Sequence, residues 1–354
     1  VINAGRIVAG QVMNQSETIT VAALTGGVNT PSSRFRIRQY IQRLAKLGIA
    51  VEEHIPFFQK SCGLPSPFKA AARIPAVLRC RKADIVWIGK ELVQGYETFE
   101  RLLKRPRIMD VDDAIWLNFP FGRFAAADIA RSMDTVIAGN SYLAEYFSQY
   151  CKNVYTVPTA IDLDRYRLRP NMDGPEPEKF VIGWTGLACN HKHLDHIETA
   201  LRRFLWENDR AELIIISNRP WKHKSLPSAK VQFIAWTKEN EATSLHLMSV
   251  GIMPLIDDRW TRGKCSFKML QYMAVGLPVI VSPVGMNRDI LEKGDIGFGV
   301  TSQQQWYESL KNLYNNWELQ KQSGRSGRQI VEQFYNADTI AEQLAQIFKS
   351  TSGS

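Results

Sequence analysis

Short apolar runs recur along the chain, separated by stretches with helical spacing. Residues 18–25, TITVAALT, predict a strand, and Gly26 and Gly27 open a loop after it. SRFRIRQYIQRLAKLG then predicts a helix, because Ile37, Ile41, Leu44 and Leu47 fall on one face and Gly48 sits at a C-cap position. IAVEEHI, ADIVWIGK and PRIMDV predict three further strands, with helices over 67–81 and 96–105 between them. TVIAG and NVYTVP flank a helical SYLAEYFSQY. Residues 158–178 contain four prolines and no periodicity, which marks a linker. The alternation restarts with KFVIGW, a helix over 191–207, AELIIIS, VQFIAW, a helix over 239–248, VGIMPL, a helix over 266–275 and LPVIVS. Helices over 303–317, 319–335 and 338–349 follow. Strands alternating with helices predict α/β architecture with parallel sheets. The expected division is a leader over 1–17, a first Rossmann-like domain over 18–160, a linker over 161–178 and a second over 179–335. A C-terminal segment, 336–354, ends the chain. Doubly wound domains bind ligands at the C-terminal edges of their strands, so the cleft between the two is the expected site.

The 354 residues exceed what one ordinary hydrophobic core organises, which agrees with two domains. Five scattered cysteines form no C-x-x-C pair, so neither a disulfide framework nor a zinc site is expected, and reduced thiols fit a cytoplasmic protein. No apolar run approaches the roughly 20 residues that span a bilayer. The net charge of +9 points to anionic partners: phosphorylated substrates, an anionic membrane surface or nucleic acid. No recognised nucleic-acid-binding module is present, and nucleic acid is not expected.

Three segments carry a resemblance. VPTAIDLDRY lies at the domain junction, KFVIGWTGLACNHKHLDHIETAL opens the second domain, and GKCSFKMLQYMAVGLPVIVSPVG lies near its end. In this order they resemble glycosyltransferases of the GT-B fold, family 4 type. The addition of DVDDAIW makes the chain most similar to bacterial members that build cell-surface polysaccharides. The resemblance implies a nucleoside-diphosphate sugar donor held by the C-terminal domain and a saccharide acceptor, lipid-linked, held by the N-terminal domain. It implies a final helix crossing back to the first domain, retention of configuration, and no metal or other cofactor.

The candidate residues follow. A helix N-terminus carries unpartnered N–H groups and the positive end of the dipole, which suits a diphosphate. Lys264 and Lys268 add two charges there, and Ser266 is placed to cap or donate. Gln271 stands where the family has the second of two glutamates, and an amide can still meet ribose hydroxyls. Gly263 stands at the first glutamate's position, with Asp257 and Asp258 upstream as substitutes. Gly186 would let the backbone approach phosphate, and Lys192 fits either a phosphate contact or a solvated helix. Trp236 follows VQFIA where the family holds the base, and fits the core equally.

DVDDAIW invites a D-x-D metal reading, but it lies in the half away from the diphosphate cradle, and no metal site is expected. Asp112 has two open roles: general base, or holder of a donor-sugar hydroxyl. Asp110 and Asp113 fit turn caps. Gly26, Gly27, Arg34 and Arg36 form the candidate acceptor or phosphate site, since guanidinium forks suit phosphate. Residues 57–82 carry Lys60, Lys69, Arg73, Arg79, Arg81 and Lys82 among apolar residues and no acid. That pattern fits an anionic membrane surface or an ordinary helix packed on the sheet. A nucleotide-sugar epimerase and a non-catalytic nucleotide-sugar or glycan binder remain as alternatives.

Overall fold

The computed structural model describes residues 18–57, 65–170, 172 and 174–353. The expected leader over 1–17 lies outside the described residues.

Two six-stranded parallel sheets organise the chain. The first holds β1 (Ile19–Leu24), β2 (Ile49–His54), β3 (Ile85–Gly89), β4 (Arg107–Val111), β5 (Thr135–Ala138) and β6 (Val154–Thr156), in the order β2-β1-β3-β4-β5-β6. The second holds β7 (Phe180–Thr185), β8 (Ala211–Ser217), β9 (Val231–Ala235), β10 (Val250–Met253), β11 (Val279–Val281) and β12 (Gly297–Gly299), in the order β12-β11-β10-β7-β8-β9. In that second order the strand sequence reverses between β7 and β10, the switch point where doubly wound sheets bind ligands. The central strands are apolar throughout: β3 runs Ile85, Val86, Trp87 and Ile88, all fully buried, as strands covered on both faces require.

The helix expected over 33–48 forms as a π-turn, a 3₁₀ turn and a helix Ile41–Lys46, because its first half is bent to aim arginines inward. The helix expected over 96–105 is only a 3₁₀ turn, Glu100–Leu102. Its fully buried Glu100 accepts from the backbone N–H groups of Leu92 and Thr98, so a local loop replaces the helical ladder. The 239–248 segment likewise reduces to a 3₁₀ turn, Thr243–Leu247. Helices Gly122–Ser132 and Met286–Leu291 and strand β12 were not expected from the sequence.

Helix Ala337–Ser352 packs against the first sheet, not the second. Phe348 meets Trp87 with ring centroids 5.0 Å apart, and Arg43 donates to Asp338 at 2.7 Å. Leu344 and Phe348 join Val21, Ile85 and Ile137 in that sheet's core.

The cleft and its lysine cluster

The strand-end Gly186 begins the site. A Cβ built there would stand 2.6 Å from the Lys268 Cε and 2.8 Å from the Trp184 ring, so only glycine lets these groups close over the backbone. Lys268 lies in the first turn of helix Phe267–Ala274, with its ammonium 5.6 Å from the centre of the buried Trp184 ring. That helix is anchored where the Tyr272 hydroxyl accepts from the Thr185 N–H at 2.9 Å. Ser266 precedes it in a left-handed conformation, φ 50°, and its side chain makes no cap. The capping role expected of Ser266 is therefore not seen, and the first-turn N–H groups receive no bond from it.

Lys192, Lys264 and Lys268 converge on His193, which is buried and accepts from the Ile256 N–H at 3.2 Å through Nδ1. Burial and then the charges of Lys268, Lys192 and Lys264 push the His193 pKa down to about 4, so the ring is neutral at physiological pH. Burial and the neighbouring Lys264 lower Lys268 to about 8. Three lysines are thus gathered in a partly dry corner, where the Asp258 carboxylate acts on His193 and Lys192, and the excess of positive charge suits an anion. The NHKH stretch that offers Lys192 in the sequence offers His191 and His193 beside it.

The N-terminal wall faces this corner directly. Cys265 rests against the turn after β4, its thiol 3.5 Å from the Asp112 carbonyl oxygen. Asn140 donates to the carbonyl oxygens of Lys264 at 3.1 Å and Arg262 at 3.4 Å. A Cβ at Gly263 would stand 2.9 Å from the Ala114 nitrogen. The glutamate of the resembled signature has no room here, because the loop carrying Gly263 is docked on the opposite domain. Neither Asp257 nor Asp258 takes that glutamate's place. Asp257 pairs with Arg262 at 2.7 Å, and Asp258 caps helix Arg259–Arg262.

Asp112 is held by Lys90 at 2.7 Å and by the Ser32 hydroxyl at 3.0 Å. Burial alone would raise its pKa. Lys90, Arg36 and Ser32 outweigh that and hold the carboxyl below its ordinary value. Lys90 also pairs with Asp113, and the two carboxylates keep its own pKa above the usual lysine value against the effect of burial. Lys90 adopts φ 63°, a left-handed strain at the end of β3 that places its ammonium between two turns. Nothing in the local pattern distinguishes it from a solvated strand-end lysine. An ionised, cation-held Asp112 is a poor general base and a good acceptor for a hydroxyl.

The candidate arginines divide. Arg36 is not at the cleft surface: it is buried, its Nε and Nη2 donate to Asp110 at 2.8 and 3.2 Å, and its Nη1 donates to the Val157 carbonyl at 2.7 Å. Its donors are consumed, so the acceptor-phosphate role expected of it is withdrawn, and Asp110 serves Arg36 instead of capping a turn. Arg34 reaches across the cleft to Glu241, with bonds of 3.2 and 2.6 Å, and Arg165 of the linker joins the same carboxylate at 2.7 Å. Arg34, Phe35, Arg165, Lys238 and Phe267 line a cavity of about 330 Å³ between the domains. Trp236 faces the Arg34 guanidinium at 5.5 Å across this gap. Gly26 and Gly27 are buried at the end of β1, with the Gly26 N–H bound to the Ser33 hydroxyl at 3.0 Å. Gln271 is buried, and its amide nitrogen donates to the Tyr166 hydroxyl at 2.6 Å. That nitrogen is therefore occupied within the protein. Among the described residues, no group of three or more His, Cys, Asp or Glu side chains is arranged to hold a metal ion.

Residues 179–316 match the family described as glycosyl transferases group 1. No curated protein matches the chain significantly by sequence. Among solved structures, HepE from Anabaena in complex with UDP superposes with a TM-score of 0.71 at 13% identity, covering 94% of this chain and 100% of that one. Sucrose-phosphate synthase from Thermosynechococcus elongatus gives a TM-score of 0.69 at 14% identity, covering 94% and 98%. WaaG, a glycosyltransferase involved in lipopolysaccharide biosynthesis, gives 0.66 at 14% identity, covering 93% and 99%. The two-sheet cleft architecture is thus that of the GT-B fold, and the part of the chain that carries the lysine cluster, residues 179–316, is the part that matches the group 1 glycosyl transferase family.

Proposed function

We propose that the chain transfers a sugar from a nucleoside-diphosphate donor to a lipid-linked saccharide during cell-surface polysaccharide assembly, with retention of configuration. The observation that carries this reading is the convergence of Lys192, Lys264 and Lys268 on neutral His193, with Lys268 packed over Gly186, at the mouth of helix Phe267–Ala274. A diphosphate placed there meets first-turn N–H groups and ammonium charge together, which stabilises the leaving group as the glycosidic bond breaks. The lysines take the role that a divalent cation plays elsewhere, and no metal is required. The carboxylates of DVDD support this, because Asp110, Asp112 and Asp113 already pair with Arg36 or Lys90. The binding of UDP by HepE makes a UDP-sugar the first donor to test.

Asp112 is held ionised, so it is assigned to a donor-sugar hydroxyl and not to proton abstraction. The proton of the attacking acceptor hydroxyl then passes to the departing phosphate oxygen. As the new bond from that hydroxyl to the anomeric carbon forms, the bond from that carbon to the phosphate oxygen breaks on the same face. This geometry retains configuration. WaaG acts in lipopolysaccharide biosynthesis, and its likeness supports an acceptor of related chemistry, reached on the cytoplasmic side of the plasma membrane.

Thermal-shift screening of UDP-, GDP- and ADP-sugars, followed by transfer to lipid-linked saccharides and NMR of the new anomeric centre, tests the reading. A stabilising donor whose sugar appears on the acceptor supports it. An epimerised donor formed without acceptor, or saturable binding without turnover on any acceptor, overturns it.

A further inference from the structure

The layer of the N-terminal domain facing away from helix Ala337–Ser352 has a surface that transfer chemistry does not explain. It is made by the three crossovers β2–β3, β3–β4 and β4–β5, which lie side by side. Arg73 donates to the Leu92 carbonyl at 3.2 Å, Gln94 donates to Asn118 at 3.3 Å, and Tyr96 meets Phe121 with ring centroids 5.6 Å apart. These contacts join the first crossover to the second and the second to the third.

This layer exposes large apolar side chains. Phe119 is 89% exposed, Phe124 68%, Phe68 63%, and Phe121 and Leu78 each 54%. Three of the four phenylalanines fall within NFPFGRF, which turns into helix Gly122–Ser132. Single exposed apolar residues are ordinary, but a cluster on one layer marks a binding surface. The charge around it is mostly positive. Residues 65–82 hold no acid and expose Arg79, Arg81 and Lys82. In the other two crossovers, Glu100 is fully buried, while Glu97 and Asp128 pair with Arg101 and Arg131. Lys104 and Arg123 are exposed as well.

We infer that this layer docks on an anionic bilayer, with Phe119, Phe121 and Phe124 entering the interface and the basic residues meeting lipid headgroups. Aromatic side chains held in a turn and rimmed by cations are complementary to a surface that is negative outside and apolar beneath. Among the described residues, no helix is long and apolar enough to cross the membrane, so docking by this face is interfacial. An open groove lined by Leu117, just before NFPFGRF, and by Asp257, Asp258, Arg259, Trp260 and Arg262 lies between the domains. The inference rests on the reading that the acceptor is lipid-linked, and it names the surface that brings protein and acceptor together.

Sedimentation of the full chain with sucrose-loaded vesicles tests it, using phosphatidylcholine alone and an equal mixture of phosphatidylcholine and phosphatidylglycerol. Binding is expected on the mixed vesicles only, and it should weaken as salt rises. The triple variant Phe119→Ser, Phe121→Ser, Phe124→Ser should lose at least about tenfold in vesicle affinity. Arg79→Gln, Arg81→Gln, Lys82→Gln should lose on the order of a hundredfold, at roughly 1 kcal/mol for each cation. Both variants should keep the parent's melting temperature in UDP and its transfer to a water-soluble acceptor saccharide. Equal binding to neutral and mixed vesicles, or unchanged binding by both variants, overturns the inference. So does a dimer of the parent that the phenylalanine variant dissolves, because a second copy would then cover the face. Vesicle binding needs neither donor nor acceptor. Its failure with transfer intact sinks this inference alone, and absent transfer with binding intact sinks the functional reading.

Discussion

Replacing Lys268 by methionine should weaken donor binding and strengthen the empty fold, and the opposite signs make the test sharp. Lys268 is half-buried beside Lys264, and its pKa falls to about 8. An unfolded lysine titrates near ~10.4, so between these values the unfolded chain binds more protons than the native one. Stability therefore rises as pH climbs through that window, and at pH 7 the charged Lys268 opposes folding. Methionine keeps the length of the side chain and removes the charge, so the apo melting temperature should rise. Binding moves the other way. A charge-assisted contact to phosphate is worth about 2 kcal/mol, which is roughly 30-fold in dissociation constant. The parent should also lose about tenfold in affinity between pH 7 and pH 9, because the ammonium is mostly protonated at the first and mostly neutral at the second. The diphosphate diester does not titrate in this range, so Lys268→Met should lack the loss. Isothermal titration with UDP-glucose, whose diphosphate is a diester, at both pH values, and melting without ligand, measure all of this. A variant that melts lower without ligand and binds UDP-glucose as the parent does would show that Lys268 is a structural residue and that the cradle lies elsewhere.

Glu241→Gln removes the carboxylate that holds both Arg34 and Arg165, leaving a buried guanidinium unpaired, and should cost about 3 kcal/mol in a urea titration. Gly263→Ala drives a methyl group toward the Ala114 nitrogen, and the resulting overpacking should cost roughly 1–3 kcal/mol by the same measurement. Lys90→Met should raise the pKa of Asp112, since Lys90 is its largest favourable partner; the acid limb of the transfer rate should then move to higher pH. The Lys90–Asp112 pair contributes stability above the unfolded aspartate pKa and loses it as pH falls through the lower folded value, so parent and variant should converge in stability at acid pH.

The alternation of strands and helices was legible because central parallel strands are apolar throughout, and that signal survives without an alignment. Lys264 and Lys268 were legible because they sit in a helix-opening motif whose chemistry is local. Arg34 and Arg36 show where such reading ends. Two residues apart in one basic stretch, they face opposite fates: Arg34 meets Glu241, 207 residues away, and Arg36 meets Asp110, 74 residues away. Spacing states which arginines share a helix face and not which carboxylate the fold brings to each. Gly263 is the reverse case. Its lack of a side chain looks like a lost functional group in the sequence, and the closed cleft turns it into a steric requirement. The failed helix over 96–105 has a simpler cause, since its apolar spacing is adequate but Glu100 is taken inside to satisfy loop N–H groups.

The two walls of the cleft differ in how completely their charges are matched, and this sets the order of events. On the N-terminal side Asp110, Asp112 and Asp113 are each paired with a cation of the same domain. On the C-terminal side Lys192, Lys264 and Lys268 stand together around a histidine that they help to keep neutral. Lys264 disfavours the charge on Lys268, and in the proposed function an entering diphosphate would offset this while a neutral sugar would not. The lysine loop is itself docked on the N-terminal domain through Asn140 and the Gly263–Ala114 contact, so relief at the lysines and closure of the cleft act on one segment. Donor binding should therefore stabilise the interface between domains as well as the C-terminal domain. Hydrogen exchange with and without UDP measures this: protection should grow at Asn140 and Ala114, on the wall that does not touch the phosphates. Protection confined to residues of the C-terminal domain would mean that the charge cluster and the docked loop are energetically separate.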